Sequence, residues 1–312
     1  DSLMLPTTKN LIVILGPTGV GKSELCIQVA QQLNTPVINA DSRQIFAELP
    51  IGTAAPTKAQ LALAKHYFVG AHHLEDYYSA SMFEQEVLAL LERLYNGEED
   101  GVPHPNCLMS GGSMMYIDAV CNGIDDIPTV DDETRQTLKQ RLADEGLPAL
   151  VEELKTLDPE HWQIVDRNNP RRVVHALEIC HMTGKTYSSF RTKKKKERPF
   201  NIIKIGLNRP REEMYDRINK RVLEMVDHGL IDEARALYPK RGLNSLNTVG
   251  YKELFAYFDN TISLEEAIRQ IQSNSRCYMR KQLTWFKKDT DITWFSPENI
   301  EDILNFIHQK TR

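Results

Sequence analysis

The sequence predicts an α/β protein: a parallel sheet flanked by helices, interrupted by an all-α insertion and ending in a helical C-terminal part. Three observations carry that expectation. Short apolar runs of strand length alternate with segments of helical period, the arrangement that builds a parallel sheet. A glycine-rich turn, Gly16-Pro17-Thr18-Gly19-Val20-Gly21-Lys22-Ser23, joins the first strand to the first helix, which is the P-loop pattern in its confirming context. Between about residues 125 and 198 strand-like runs stop and only helical periodicity continues. The expected domains are therefore a P-loop NTPase-like core of residues 1–122 and 199–312, and a helical insertion of residues 123–198.

Leu11 to Leu15 reads as a short buried strand, and Glu24 to Leu33 carries Leu25, Val29 and Leu33 at helical spacing. In the turn between them the glycines let backbone wrap an anion without Cβ clashes, so that N–H groups point at phosphate oxygens. Lys22 is placed to bridge terminal phosphates and the Ser23 hydroxyl to ligate Mg²⁺, while the helix N-terminus adds partial positive charge. These residues predict a di- or triphosphate ligand.

Pro36 to Ala40 reads as a second buried strand, followed by Asp41-Ser42-Arg43-Gln44. Ligand-facing groups of open α/β sheets sit at the carboxyl ends of strands, so Asp41 is placed to face whatever the P-loop holds. An equally open reading makes Asp41-Ser42 only the cap of the next helix or turn. Ile51 to Thr57 reads as loop. His66 to Leu74 gives a further strand-like run, in which His72 and His73 would alternate faces and so not share a metal. Ser81 to Leu94 is amphipathic, with Phe83, Val87, Leu90, Leu91 and Leu94 on its buried side. Asn106 to Met109 is a third buried strand, and Ser110-Gly111-Gly112-Ser113 turns it into a helix opening at Met114. A Gly-Gly turn there either brings backbone close to a ligand or serves packing alone. The strand does not end in the aspartate that a nucleotide hydrolase uses for Mg²⁺, which counts against an ATPase.

Asp131 to Glu145, Leu147 to Leu157 and Pro170 to Thr183 have helical periodicity. The last has Asn169 as N-cap, Pro170 at the first position and Gly184 past the end. The Lys193 to Lys196 run closes the insertion, as a solvated link or as a contact for RNA backbone. Phe200 to Leu207 returns to strand. Arg211 to His228 then forms a helix closed by Gly229, with Arg217 and Arg221 on one face: a clamp for pyrophosphate or an exposed pair. The last long helix opens with a capping box, Ser263 to Glu266, and runs to about Lys288. Arg269, Arg276, Arg280 and Lys287 form one stripe along it, whereas Ile271, Tyr278 and Trp285 fall nearly opposite and are expected to pack inward. Lys281, Lys288 and the four-lysine run shift the reading of that stripe from a solvated face toward a polyanion partner.

The 312 residues, 41% hydrophobic and 26% charged, suit an ordinary globular chain of two domains. No apolar run of about 18 residues exists, so no membrane span is expected. Asp1 to Asn10 lacks the basic start and apolar core of a signal peptide. Five scattered cysteines without a C-x-x-C pair argue for reduced thiols in the cytoplasm and against a zinc finger. A net charge of −5 does not exclude a local phosphate-binding face, because acid concentrates in residues 125–160 and base in Arg191 to Arg198 and 269–288.

Together these residues resemble the tRNA dimethylallyltransferase (tRNA isopentenyltransferase, IPP transferase) family, bacterial type, since no C-terminal zinc finger follows. In family order stand Gly16 to Ser23, Asp41-Ser42-Arg43-Gln44, Gly52-Thr53-Ala54, His72-His73-Leu74, Tyr78-Ser79-Ala80 with Phe83, and Gly111-Gly112-Ser113 with Tyr116. Asn169-Pro170-Arg171-Arg172, Gly184-Lys185-Thr186, Val249-Gly250-Tyr251 and Gln282-Leu283-Thr284-Trp285 continue the series. The likeness spans about residues 11 to 288. It implies transfer of a dimethylallyl group from dimethylallyl diphosphate to the exocyclic amine of the adenine just 3′ of the anticodon. By that resemblance the P-loop holds the pyrophosphate leaving group rather than ATP, and Arg217 stabilises its departure; the shared helix face adds Arg221 as a candidate phosphate-binding residue. Asp41 accepts a hydrogen bond or proton from the amine, and Ser113 stands where Thr is common, keeping the hydroxyl. The resemblance also implies tRNA contacts at Asp41, Ser42, Arg43, Gln44, Ser113, Arg135, Asn168, Asn169, Pro170, Arg171, Arg172, Gly250, Tyr251, Lys252, Arg280, Lys281, Gln282 and Trp285. Mg²⁺ is the implied cofactor, the tRNA anticodon stem-loop the partner, and a cytoplasmic monomer the working form.

Three rivals remain. A P-loop kinase of a small metabolite would share the cradle but would not need a basic C-terminal helix. An isopentenyltransferase acting on free adenine nucleotides would keep Asp41 and Arg217 without the RNA-binding stripe. A nucleotide-gated RNA-binding module would bind tRNA without chemistry.

Overall fold

A computed structural model describes residues 8–192 and 194–312; Lys193 and the first seven residues of the N-terminal stretch lie outside the described residues. The chain divides into a core unit, Asp1–Cys121 with Glu197–Arg312, and a helical unit, Asn122–Lys196.

The core unit opens with β1 (Asn10–Leu15), buried at all six positions, and α1 (Lys22–Leu33), which starts after Gly21 and stops at Asn34 in the left-handed region. Then come β2 (Val37–Asn39), α2 (Lys58–Leu63), β3 (His66–Tyr67), α3 (Ala80–Asn96), β4 (Asn106–Gly111) and α4 (Met114–Asn122). The helical unit holds α5 (Asp132–Glu145), α6 (Leu147–Leu157), α7 (Pro159–Ile164), α8 (Pro170–Thr183) and α9 (Tyr187–Phe190). The chain re-enters the core with β5 (Asn201–Leu207), α10 (Arg211–Asp227), α11 (Leu230–Leu237), α12 (Lys252–Phe258), α13 (Leu264–Phe286), β6 (Thr293–Phe295) and α14 (Ile300–Lys310).

The strands form one sheet in the order β3-β2-β4-β1-β5-β6, parallel at every pairing. Alternation along β1 sets the layers. Leu11, Val13 and Leu15 pack with Phe83 and Val87 of α3 and Ile117 of α4, while Ile12 and Ile14 pack with Leu25 and Val29 of α1, Ile218 of α10 and Ile303 of α14. Burial of each such aliphatic or aromatic side chain contributes about 1.5–3 kcal/mol. A third cluster, including Leu49, Val222, Leu230, Tyr251, Leu254 and Ile271, fastens α10 to α13. The helical unit has its own small core of Leu138, Leu150, Leu154, Val173, Ala176 and Leu177. Its longest-signalled helix, α8, is capped as its sequence suggests: Asn169 Oδ1 accepts from Arg172 N, and Gly184 follows the last turn at φ 69°.

Some expectations change. The run from His66 yields only the two-residue β3, because Phe68 turns to φ 68°; farther along, His72 meets Phe46 through an isolated bridge. Ser263 caps α13, but the Glu266 carboxylate accepts from Arg269 and Gln270, so the box is not closed. The edge strand β6 and helices α2, α7, α9, α11, α12 and α14 are additions to the sequence reading. Among the described residues no helix is long and apolar enough to cross a membrane.

Candidate active site

At the carboxyl ends of the strands the core unit has an open cavity of about 1330 Å³. A typical small-ligand pocket holds roughly 300–1,000 Å³, so two reactants have room here. Its floor is the turn between β1 and α1. Gly19 and Gly21 have φ of 82° and 98°, a region other residues rarely adopt. A Cβ on Gly21 would also stand 3.2 Å from Arg217 Nη2 and 3.3 Å from Arg209 Nη2. Arg217 Nε donates to Gly19 O at 2.9 Å, Arg209 Nε to Val20 O at 2.9 Å, and Arg221 Nη1 to Thr18 Oγ1 at 3.3 Å. Arg217 and Arg221 thus reach the turn instead of standing as an unengaged pair on α10.

Lys22 Nζ donates to Gly16 O and Pro17 O at 2.8 and 3.0 Å. Burial pulls its ammonium down to about 8; Arg221 adds to the drop and Asp41 opposes it. Arg221 is lowered too, by burial first, with Asp41 opposing and the Arg217 and Arg43 guanidiniums adding. Cations crowded in this way repel one another, and a bound diphosphate offsets that repulsion.

Beyond β2 the chain presses onto β4. Ala40 N donates to Ser110 O at 2.7 Å and Ser113 N to Ala40 O at 3.3 Å. A Cβ on Gly111 would lie 2.0 Å from Ala40 O, so only glycine allows the approach. It delivers Asp41 to the cavity wall, where Oδ1 accepts from Arg43 N and Gln44 N at 2.8 and 3.0 Å. Asp41 thus caps a turn and also lines the cavity, so it is not only a cap. Ser113, expected among the reacting groups, lies behind the Asp41-Ser42 turn. It is buried under the turn, its Oγ accepting from Ser42 N at 2.7 Å and donating to Ser42 Oγ at 3.1 Å, so it acts by holding Asp41-Ser42. Gln44 lines the cavity and braces the residue 50–57 strap by donating to Thr53 O and Ala54 O.

Besides Ser113, three residues expected at a tRNA surface are buried: Gly250, Tyr251 and Gln282. Tyr251 is 0% exposed; its hydroxyl donates to Glu233, which also accepts from Ile51 N and Gly52 N, so it anchors the strap. Gln282 is 2% exposed, its Oε1 accepting from Thr18 N and its Nε2 donating to Gly112 O, both at 2.9 Å. Gly250 is buried in the cavity wall, and Lys252 is exposed.

The inner face of α13 is cavity wall. Ile271, Ser275, Tyr278 and Gln282, spaced four, three and four, line it. Burial, and then the Asp41 charge, push the Tyr278 hydroxyl up. Trp285, expected to pack inward, is 42% exposed, beside the exposed Lys281, Lys287 and Lys288. The basic stripe is partly engaged internally: Arg269 pairs with Glu266, Arg276 reaches Asn219 at 2.6 Å, and Arg280 reaches the Tyr215 hydroxyl at 3.0 Å. In the helical unit, Arg135, Asn168, Pro170, Arg171 and Arg172 are exposed, while the Asn169 side chain serves its cap. Of the lysine run, Lys196 pairs with Asp126 at 3.2 Å.

Arg209 escaped the sequence reading. Glu213 and Glu298 each hold its Nη1 at 2.9 Å, and it lines the cavity. It follows β5 by two residues, so the strand-end rule that found Asp41 applies to it equally. Among the described residues no cluster of three or more His, Cys, Asp or Glu side chains could hold a metal; Ser23 lines the cavity.

A family model described as IPP transferase matches residues 44–289. The chain is 60% identical over 298 residues to tRNA dimethylallyltransferase 1 of Phocaeicola vulgatus, covering 96% of this chain and 97% of that one. Among solved structures, it is similar to the full-length tRNA isopentenylpyrophosphate transferase of Bacillus halodurans, with TM-score 0.69, 34% identity and 97% of each chain covered. It is also similar to a eukaryotic dimethylallyltransferase acting on tRNA, with TM-score 0.78 and 25% identity over 94% of this chain and 75% of that one.

Proposed function

We propose, from the premise that this chain belongs to the IPP transferase family, that it transfers a dimethylallyl group from dimethylallyl diphosphate to tRNA. The acceptor is the exocyclic amine of the adenine just 3′ of the anticodon, and pyrophosphate is released. One observation carries the reading: a single cavity sets Lys22, Arg209, Arg217 and Arg221 around the P-loop, with the Asp41 carboxylate at the end of the β2 segment. β4 runs out in Ser110-Gly111-Gly112, without the aspartate a nucleotide hydrolase needs.

The chemistry follows from charge. As the allylic C–O bond breaks, positive charge grows on carbon and negative charge on the departing diphosphate. Lys22, Arg217, Arg221 and the loop amides stabilise the second, and being fixed in advance they need no reorganisation. The adenine nitrogen forms the new C–N bond and gives its proton toward Asp41. An unpaired anticodon-loop base is the cheapest to bring out of its stack, and the Tyr278 ring in the wall offers it a face. Mg²⁺ fits this donor set. With the Ser23 hydroxyl as protein ligand, diphosphate oxygens and water would complete a hard cation's shell, and the ion would add positive charge beside the leaving group. We assign tRNA backbone contact to Arg135, Asn168, Arg171, Arg172, Lys252, Arg280, Lys281 and Trp285, and read the enzyme as a cytoplasmic monomer.

The test offers labelled dimethylallyl diphosphate and Mg²⁺ with unmodified tRNA, AMP and ATP in parallel. Label in tRNA is the expected result. Label only in AMP or ATP would move the protein to the free-nucleotide branch, and phosphate transfer from ATP to a metabolite would overturn the reading.

A further inference from the structure

Gln282 ties together the turns that follow the two central strands, β1 and β4. Its amide oxygen accepts from Thr18 N and its amide nitrogen donates to Gly112 O. Position 112 accommodates this contact only as glycine, since a Cβ would stand 2.7 Å from Gln282 Nε2 and 3.1 Å from Gly16 O. Thr18 is held a second time through its hydroxyl, by Arg221 Nη1 at 3.3 Å. A chain of contacts thus runs from Gly112 through Gln282 and Thr18 to a guanidinium of the cavity.

A glycine-rich loop loses much conformational freedom when it closes on an anion. Fixing one of its amides from outside moves that cost to folding and leaves the remaining donors preorganised. The task needs a neutral side chain that accepts and donates at once, which an amide does. Glutamate would accept without donating and would place negative charge beside the anion; methionine would fill the volume and do neither.

We infer that Gln282 is a positioning residue of the transfer reaction, holding Thr18, and through it the Arg221 guanidinium, where charge develops on the diphosphate. This rests on the function proposed above. It also separates Gln282 from its exposed helix neighbours Lys281 and Trp285, which face solvent.

Wild type, Gln282→Met and Gln282→Glu are compared in steady-state transfer to an anticodon stem-loop RNA, in calorimetry with inorganic pyrophosphate alone, and in hydrogen exchange of the Gly16–Ser23 segment. Gln282→Met is expected to lower kcat about 10- to 100-fold, the scale of a misplaced catalytic group, with KM for RNA within about twofold. Its pyrophosphate affinity falls about tenfold and its loop exchanges faster, because Thr18 N has lost its acceptor. Gln282→Glu keeps loop exchange near wild type yet binds pyrophosphate at least about tenfold more weakly, through the added charge. If Gln282→Met does not fold, that second variant still decides. Constants within twofold of wild type in both variants would overturn the inference. So would a raised KM for RNA with kcat retained, which would make Gln282 a direct RNA contact. Failure of the wild type to prenylate any RNA would sink the proposed function alone, while pyrophosphate binding and exchange would still judge Gln282.

Discussion

In the phosphate cradle local bonds are reinforced by partners distant in sequence: Thr18 is held by Gln282 and Arg221, Gly19 by Arg217, Val20 by Arg209, Ala40 by Ser110. In the helical unit the corner before α8 is held by its own neighbours. Asn169 caps Arg172, Asn168 N donates to Asp166, and the Arg171 and Arg172 side chains are left exposed. The difference matches the roles proposed for the two regions. A group facing developing charge in a transition state has to be fixed before the ligand arrives, since small misplacements there are costly. A cation facing RNA backbone only has to be within reach, because its contribution comes through released counterions. Losses in the cradle should therefore appear in kcat, and losses at the corner in binding.

The largest expected effect is at Asp41. Asp41→Asn should lower single-turnover label transfer by about 10²–10⁴-fold, the range for a lost general base, with pyrophosphate and RNA binding near wild type. A loss confined to RNA binding would reduce Asp41 to a cap. Next comes the core of the helical unit. Leu154→Ala should destabilise it by about 2–5 kcal/mol, as seen for buried leucines, measured by denaturant unfolding, while the core unit still binds pyrophosphate. Loss of pyrophosphate binding would show that the two regions are not built separately.

Lys22 supplies the pH test. It sits at about 8 in the folded protein against 10.5 for an ordinary lysine. Between those values the unfolded chain binds more protons, so this group's contribution to stability rises with pH there. On the proposed role of Lys22, diphosphate binding draws on the ammonium, so affinity should fall as pH rises through about 8. From pH 7 to 9, pyrophosphate affinity by calorimetry should drop about tenfold more for wild type than for Lys22→Met, which has no titrating group. Equal drops would show that another group governs the cradle. The smallest effect is at the corner: Arg172→Ala should raise KM for tRNA a few-fold, flatten the logarithmic salt slope by about 1 and leave kcat alone. A fall in kcat would break the contrast between the two regions.

Local signals made much of this legible. The P-loop glycines, the apolar strand runs and the Asn169 and Gly184 caps each depend on a few adjacent residues, and the strand-end rule carried Asp41 to the cavity. What stayed hidden depends on distant partners. The amphipathic period of α13 separates an inner from an outer face, but it cannot say whether the inner face meets core or cavity. Tyr278 was therefore read as packing and Gln282 as a tRNA contact, although both form the wall. Tyr251 was misplaced for the same reason, since its partner Glu233 lies on another helix. β6 is three residues long, too short for a period to show.

The central claim is that the P-loop holds a leaving group, and pyrophosphate release tests it most directly. Enzyme, dimethylallyl diphosphate, Mg²⁺ and unmodified tRNA are mixed, and pyrophosphate and tRNA-bound prenyl group are counted together, with ATP replacing dimethylallyl diphosphate in a parallel reaction. One pyrophosphate per prenyl group transferred, and no nucleotide turnover with ATP, is the predicted result. Phosphate or ADP formed from ATP, without prenyl transfer to tRNA, would contradict it.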